Sequence, residues 1–185
     1  GNSGGGSSSG MLNNCTLTGN SASISGGGSY SGTLNNCIVY YNIAATSSNY
    51  FGGSLNYCCT TPVPGTGTGN TNAEPQLASG SHLSANSPCR GAGSTAYTAG
   101  VDIDGEAWAS PPAIGCDEYY AGSVTGLLSV AIQATYTNVA TGFKVSFTAQ
   151  IGGHASASQW DFGGGTTVSN RPYASRSWTA AGDYP

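Results

Sequence analysis

Charged side chains are almost missing from this sequence. It has four Lys and Arg residues and eight Asp and Glu residues in 185 positions, and residues 1–73 contain none of these and no His. Glu, Lys, Arg and Met, which favour helices, are rare, so the composition excludes a helical bundle. A formal net charge of −4 leaves no basic patch, which excludes nucleic acid as a partner.

Long apolar runs are also missing. No run approaches the roughly 18 residues that a membrane span needs, so we predict no membrane span. The first residues, Gly1 to Gly4, have neither the basic nor the apolar region of a signal peptide. If the protein is exported, we expect its signal upstream of Gly1. No CxxC or Cys/His spacing typical of a zinc site occurs.

The residues that are abundant favour an all-β fold. Glycine fills 30 positions, and Thr, Val, Ile and Tyr alternate with turn residues, as in short strands joined by tight turns. A disordered Gly/Ser linker is the competing interpretation. Apolar runs such as residues 37–41 argue against it, because a linker has no reason to keep them.

A repeat of about 22 residues organises the first third of the chain. Residues 9–15 recur as 31–37 and again as 52–58, and the cysteines in them step by 22 and then 21 positions. Such a period, with short strands and Gly/Asn turns, is typical of one coil of a parallel β-helix. A leucine-rich repeat is the rival, but it needs several leucines in each unit. In a β-helix, equivalent residues stack in ladders: Leu12, Leu34 and Leu55 with Cys15, Cys37 and Cys58 inside the coils, and Asn13, Asn35 and Asn56 at a bend.

The repeat fades after Cys59, and the next residues are suited to covering it. A stack of coils must end with a segment that covers its last apolar layer. We expect coils over about residues 1–60 and a cap segment over about 61–121. Four stretches follow in order within the cap segment: AEPQL (73–77), HLSANSPC (82–89), GVDIDGE (100–106) and AIGCDEY (113–119).

These stretches resemble the C-terminal end of bacterial surface and secreted right-handed parallel β-helix proteins of the pectate-lyase-like superfamily. Those proteins commonly end with the pattern DP.F…hLs..SPaid.G…D.dG…DiGAyEy. Glu74 and Gln76 depart from it, and Cys116-Asp117 replaces a small and an aromatic residue. The resemblance spans about residues 9–120. It implies the fold and leaves the chemistry open, since such helices host lyases, hydrolases, adhesins and inert spikes.

A different pattern begins near Val124. Residues 128–136 and 143–149 alternate apolar and polar, which predicts a sandwich with one buried face per strand. SASQWDFGGGT (156–166) resembles the Y.WDFGDGT signature of immunoglobulin-like PKD domains, with Gly164 where the family usually has Asp. A PKD domain continues with one more strand, so we expect a sandwich over residues 124–185 that lacks its last strand. A shortened sample, a mobile tail and a strand supplied by another copy all remain open.

The candidate metal ligands lie in the cap segment. Asp102, Asp104 and Glu106 are spaced like a calcium loop, and Asp117 and Glu118 could add oxygens. The competing interpretation is that short Asp side chains bind turn amides. His82 and His154 have no sequence-near partner, which favours packed or exposed turn residues over catalytic ones. We predict no catalytic residue, and calcium is the only candidate cofactor.

Cysteines and tyrosines give two further predictions. Cys89 and Cys116 lie in cap strands and are candidates for a disulfide that locks the cap, with two buried free thiols as the alternative. Neighbouring coil cysteines could also be bridged. An exposed aromatic strip could be formed by Tyr30, Tyr40, Tyr41, Tyr50 and Phe51, of which Tyr40, Tyr41 and Tyr50 are the candidates for contact with a sugar or a partner. Core packing and strand preference explain them equally well.

These features favour a non-catalytic structural or adhesive segment of a secreted or cell-surface protein. Polysaccharide and other copies of the chain are the candidate partners, the latter as subunits of a filament. The alternative is the C-terminal part of a polysaccharide lyase or glycoside hydrolase whose active site lies on coils upstream of Gly1. On the residues present, the balance is against an enzyme, because residues 1–73 offer no carboxylate and no His or Lys base.

Overall fold

The computed structural model describes residues 2–123 and 125–184. Gly1, Val124 and Pro185, at the ends of the two predicted modules, lie outside the described residues. The described chain is all-β, with no α-helix and one 3-10 helix at Thr95–Tyr97. None of the described residues forms a helix long and apolar enough to cross a membrane.

The first sixty residues form three parallel sheets of three strands each. The sheets have the orders β1-β4-β7, β2-β5-β8 and β3-β6-β9, so every third strand is a neighbour. Each turn of the chain therefore gives one strand to each sheet, and we call each turn a coil and residues 2–60 the coil stack. The strands are β1 (Ser7–Ser8), β2 (Met11–Asn13), β3 (Thr16–Leu17), β4 (Ser29–Tyr30), β5 (Thr33–Asn35), β6 (Ile38–Val39), β7 (Tyr50–Phe51), β8 (Ser54–Asn56) and β9 (Cys59–Thr60).

The register of these sheets follows the sequence repeat. Leu12 pairs with Leu34, and Leu34 with Leu55, in parallel strands. The predicted asparagine ladder is confirmed, since Asn35 Nδ2 donates to Asn13 Oδ1 at 2.9 Å and Asn56 Nδ2 donates to Asn35 Oδ1 at 3.1 Å. An apolar cluster, which we call the interior cluster, fills the inside of the stack: Leu17, Leu34, Cys37, Val39, Leu55 and Cys58.

The end of the coil stack is covered by residues 66–71. Thr71 lies parallel to Cys59, and Tyr57 N–H donates to Thr68 O at 2.7 Å. Asn70 Oδ1 accepts the Cys58 N–H at 2.9 Å. This short stretch accepts hydrogen bonds from the free edge of the last coil. The sequence had predicted that the whole cap segment would lie at this end of the stack.

The rest of the cap segment covers a flank of the coil stack. A second apolar cluster, which we call the flank cluster, joins coil residues to cap residues: Ile38, Cys59, Leu77, Leu83, Cys89, Ala113 and Ile114. Ile38 and Val39 are neighbours in β6 and belong to the two different clusters, so this strand is buried on both faces. Gly115, with φ +113°, lies where a Cβ would come within 2.8 Å of the Ile38 side chain, so glycine allows the close approach.

The second module has five strands: β10 (Ser129–Ala134), β11 (Val145–Gly152), β12 (Gln159–Asp161), β13 (Thr167–Ser169) and β14 (Tyr173–Arg176). They form an antiparallel sheet β10-β11-β14 and a pair β12-β13. Phe147 of the larger sheet packs against Trp160 at 6.1 Å and Phe162 at 5.6 Å between ring centroids. Trp160 Nε1 donates to Arg171 O at 2.8 Å, which satisfies its buried polar group.

The predicted burial of one face is wrong for β10. All six of its residues are exposed, including Val130 at 62% and Ile132 at 63%. The pair β12-β13 is short and packs over Phe147 through Trp160, so among the described residues no strand covers β10. Alternation in sequence shows which residues share a face, but the extent of the opposing sheet decides whether that face is buried.

Candidate functional site in the cap segment

Five titratable side chains of the cap segment lie in one cluster. Two groups place one ligand atom from each residue within 4.8 Å of the others, and they share Asp104. One group is Asp102, Asp104 and Glu106, as the sequence predicted. The other is His82, Asp104 and Asp117. The structure therefore brings the predicted acidic loop together and adds a histidine and a fourth carboxylate.

Asp102 is committed to backbone amides. Its Oδ1 accepts the N–H groups of Asp104 at 2.9 Å and Glu106 at 2.7 Å, and its Oδ2 accepts that of Glu118 at 2.9 Å. These bonds fold the turn between Val101 and Ala107, which face each other in an antiparallel bridge. Asp102 thus has the structural role that the sequence offered as the alternative to calcium binding.

Glu118 has a similar role. Its side chain is buried, and Oε2 accepts the N–H groups of Ala113 at 2.8 Å and Ala109 at 3.2 Å. A buried carboxylate that accepts hydrogen bonds from backbone amides has its negative charge stabilised, and the N–H groups of the loop gain an acceptor. Glu118 holds residues 109–113 against the next stretch and is not free to bind a ligand through that oxygen.

Asp117 is fully buried and only partly satisfied. Its Oδ2 accepts the Leu83 N–H at 2.8 Å, whereas Oδ1 has no hydrogen-bond partner among the described residues. Burial first, and then the charges of Asp102 and Asp104, raise the pKa of Asp117 to about 6 against the opposing effects of the Leu83 N–H and His82. The cap therefore contains one carboxyl group whose environment disfavours an uncompensated negative charge.

His82 is held from one side of its ring. Ser79 Oγ lies 2.8 Å and Ser81 Oγ 3.1 Å from Nδ1, and Nε2 faces Asp104 at 3.1 Å from Oδ2 and 3.3 Å from Oδ1. Sequence reasoning favoured a packed or exposed turn residue for His82, because its partner Asp104 is 22 residues away. Only the fold shows that Asp104 lies beside it.

The coil cysteines form a column of free thiols. Cys15, Cys37 and Cys58 each donate to the carbonyl oxygen two residues earlier, at 3.2, 3.2 and 3.3 Å, so the same local geometry recurs in each coil. A hydrogen bond from the Cys37 thiol lowers the pKa of Cys15 to about 7, although burial opposes this. Hydrogen bonding with the Cys15 and Cys58 thiols, followed by burial, raises the pKa of Cys37.

Cys89 and Cys116 do not form the predicted disulfide. All six cysteines are free thiols. Cys89 neighbours Cys59, whose pKa is raised by the hydrogen bond to Cys89 and by burial. Cys116 lies beside Thr16, and burial raises its pKa to about 11. The two cap cysteines are thus packed against different parts of the coil stack, with Cys89 buried and Cys116 half-buried.

The three tyrosines do not form one strip. Tyr40 and Tyr41 pack beside the flank cluster, with their rings 4.9 Å apart, whereas Tyr50 packs against the interior cluster of the coils. Tyr41 also lies 5.8 Å from the Tyr173 ring of the second module and donates to Glu74 Oε1 at 2.6 Å. Burial and this hydrogen bond raise the pKa of Tyr41. Tyr41 therefore belongs to a junction between the modules, and Tyr40 packs against it.

Glu74 and Arg171 complete this junction, and sequence reasoning gave them no role. Arg171 of the second module forms an ion pair with Glu74 of the cap segment, and the hydrogen bond to Glu74 raises the pKa of Arg171. Ala85 N–H donates to Ser156 O at 2.9 Å, which adds a backbone link. We call these contacts, with Tyr41 and Tyr173, the junction. The departure of Glu74 from the superfamily pattern was the signal that could have indicated it.

Comparison of the chain with protein-family models, with curated proteins and with solved structures finds no match.

Proposed function

We propose that this chain is a non-catalytic structural or adhesive segment of a secreted or cell-surface protein. In this proposal the coil stack is the end of a right-handed parallel β-helix, the cap segment closes it, and the second module is a PKD-like spacer. Support comes from the leucine and asparagine registers, which repeat from coil to coil. The chain would act through its shape, as a stiff body that displays or spaces its neighbours.

The observation that carries the proposal is the chemistry of the coil surface. Residues 1–73 contain no Asp, Glu, Lys, Arg or His. Polysaccharide lyases and hydrolases require carboxylates or a basic group at the reacting sugar, either to move a proton or to hold a cation. Asparagine, serine and threonine on the coils offer hydrogen bonds but no proton transfer near neutral pH.

The junction also favours a structural role. The second module contacts the coil stack and the cap segment through an ion pair, aromatic packing and the Tyr173 hydroxyl, which donates to Thr18 Oγ1 at 3.2 Å. These contacts span more than one coil and fix the direction in which the second module leaves the stack. A spacer that holds neighbouring parts of a protein at a fixed distance and direction needs such a fixed attachment, whereas a flexibly tethered binding module does not.

An assay on polysaccharides tests the proposal. The purified chain is incubated with a panel of acidic and neutral polysaccharides, with and without Ca²⁺, and products are followed by mass spectrometry while binding is followed by affinity electrophoresis. We expect no new products, and retarded migration in polysaccharide gels if the role is adhesive. Product formation that is lost in a point variant of this chain would contradict the proposal.

A filament role is tested on the same sample. Electron microscopy at high protein concentration shows whether copies join end to end. Filaments would add self-assembly to the structural role, whereas dispersed particles would contradict self-assembly.

A further inference from the structure

We propose that His82, Asp104 and Asp117 bind one divalent first-row transition-metal ion. The ligand atoms are His82 Nε2 and one oxygen from each carboxylate. This inference concerns the cap segment alone and does not depend on the structural role proposed above.

The distances suit a shared ion. One ligand atom from each residue lies within 4.8 Å of the other two, and His82 Nε2 lies 3.1 Å from Asp104 Oδ2. Two ligands that each bind a metal at about 2.1 Å, at right angles to one another, lie about 3 Å apart. The histidine and Asp104 already have that separation, and an Asp117 ligand atom lies within 4.8 Å of both.

The ligands are oriented by the surrounding residues. The hydroxyl groups of Ser79 and Ser81 hold Nδ1 of His82, which leaves Nε2 directed at the cluster. Metal-binding histidines commonly have their second nitrogen fixed in this way. The Leu83 N–H likewise holds Oδ2 of Asp117 and leaves Oδ1 without a partner among the described residues.

The unpartnered oxygen of Asp117 is the second, independent indication of a ligand. The Asp117 side chain is 0% exposed, and a buried carboxylate oxygen without a partner is costly. A cation bound between Asp117, Asp104 and His82 would satisfy this oxygen. Among the described residues, no protein group donates a hydrogen bond to Asp117 Oδ1.

The charge balance of the cluster points the same way. Asp102, Asp104, Glu106 and Asp117 bring four carboxyl groups together, and His82 is the one basic side chain paired with them among the described residues. Arg171 is paired with Glu74, and Arg90 lies 4.4 Å from the centre of the Tyr119 ring. A protonated histidine offsets one negative charge, whereas a bound dication offsets two.

The same structure favours the histidine group over the acidic loop. Asp102 already accepts three backbone N–H groups, and Ser123 Oγ donates to Glu106 Oε1. A calcium site needs six to eight oxygen ligands, whereas one imidazole and two carboxylates suit ions such as Mn²⁺ or Zn²⁺. The three ligands come from three different stretches of the cap segment, so a bound ion would tie those stretches together.

Electron paramagnetic resonance of Mn²⁺ tests the site, because the signal of free Mn²⁺ is lost on binding. Mn²⁺ is the probe of choice, since six free thiols would compete for Zn²⁺. Protein freed of metal by chelation is titrated, and we expect saturation at one Mn²⁺ per chain. His82→Gln and Asp117→Asn should each weaken Mn²⁺ affinity at least about tenfold, and Glu106→Gln should change it less than about twofold.

The variants also separate the outcomes. Glu106→Gln removes a carboxylate of the same cluster but leaves the histidine group intact, so it is the matched control. Circular dichroism of each metal-free variant shows whether it folds, and if Asp117→Asn does not, His82→Gln decides the question. The absence of saturable Mn²⁺ binding would overturn the proposal. So would loss of binding in Glu106→Gln with no loss in His82→Gln.

Discussion

Asn36 shows how one side chain joins the coil stack to the cap segment. It lies at the bend after β5 with φ 50°, a conformation that asparagine tolerates better than most residues. Its side chain is fully buried, and it both donates to Ser94 O and accepts Ser94 N–H, each at 2.8 Å. The equivalent residue one coil earlier, Asn14, has φ 48° but no partner for its amide nitrogen among the described residues.

This difference gives a matched pair of variants. Asn36→Ala should lower the free energy of unfolding by about 1–3 kcal/mol more than Asn14→Ala, because only Asn36 loses buried hydrogen bonds to the cap. Both variants place alanine in the same left-handed conformation, so the backbone cost cancels. Urea-induced unfolding followed by circular dichroism measures the difference. Equal losses would mean that the Ser94 contacts contribute nothing.

Cys15 is predicted to be an unusually reactive thiol. Because the Cys37 hydrogen bond lowers its pKa to about 7, the rate of alkylation by iodoacetamide should reach half its maximum near pH 7. Cys116, whose pKa burial raises to about 11, should stay unmodified in that range. Mass spectrometry of peptides alkylated at different pH values measures both. A midpoint for Cys15 near the usual thiol value of about 8.5 would contradict this assignment, and Cys37→Ala should move the midpoint toward that value.

At the scale of elements, the leucine ladder runs through the coils from one parallel strand to the next. Leu34 is fully buried between Leu12 and Leu55. Leu34→Ala should lower the free energy of unfolding by about 2–5 kcal/mol, because it removes buried methyl groups and leaves a cavity. Met11→Ala, in the adjoining strand β2, is the control, since Met11 is 72% exposed and should change stability by less than about 0.5 kcal/mol. Similar losses in both variants would show that the stack is not packed around this ladder.

Within the described part of the chain, the Glu74–Arg171 pair is the one ion pair between the cap segment and the second module. Both side chains of the Glu74–Arg171 pair are partly exposed, so Glu74→Gln should lower the free energy of unfolding by only about 0.5–1 kcal/mol. The loss should shrink at high salt, because salt screens exposed charges. Urea unfolding at low and high NaCl measures it, with Asp183→Asn as a control for the removal of a carboxylate elsewhere in the second module. A loss equal to that of Asp183→Asn would exclude a role for the ion pair.

The elements differ in how well the sequence predicts them. The coil register follows from residues such as Leu34 and Asn35, because identical side chains at a fixed spacing must stack in parallel strands. The flank position of the cap segment does not follow, since two-residue strands such as β6 are too short to show whether their outer face is covered. The acidic turn was visible in sequence, whereas the place of His82 beside Asp104 depends on a contact across 22 residues.

At the scale of the whole molecule, stability comes from shape and hydrogen bonding, with little help from charge. The coil stack has no charged side chain and is held by parallel ladders, the interior cluster and the flank cluster. The cap segment covers both the end and the flank of that stack, so we expect the two to unfold as one cooperative body. In contrast, β10 is exposed along its whole length and should open more readily.

Hydrogen exchange followed by mass spectrometry tests most directly whether the chain is a stiff scaffold. We expect peptides from β4 to β9 and from residues 75–119 to share the slowest exchange, and peptides from β10 to exchange faster. Amide protection reports the free energy of opening in each segment, so a shared slow rate indicates one cooperative unit. Fast exchange in the coil strands, or opening of the cap segment independently of the coils, would contradict the account.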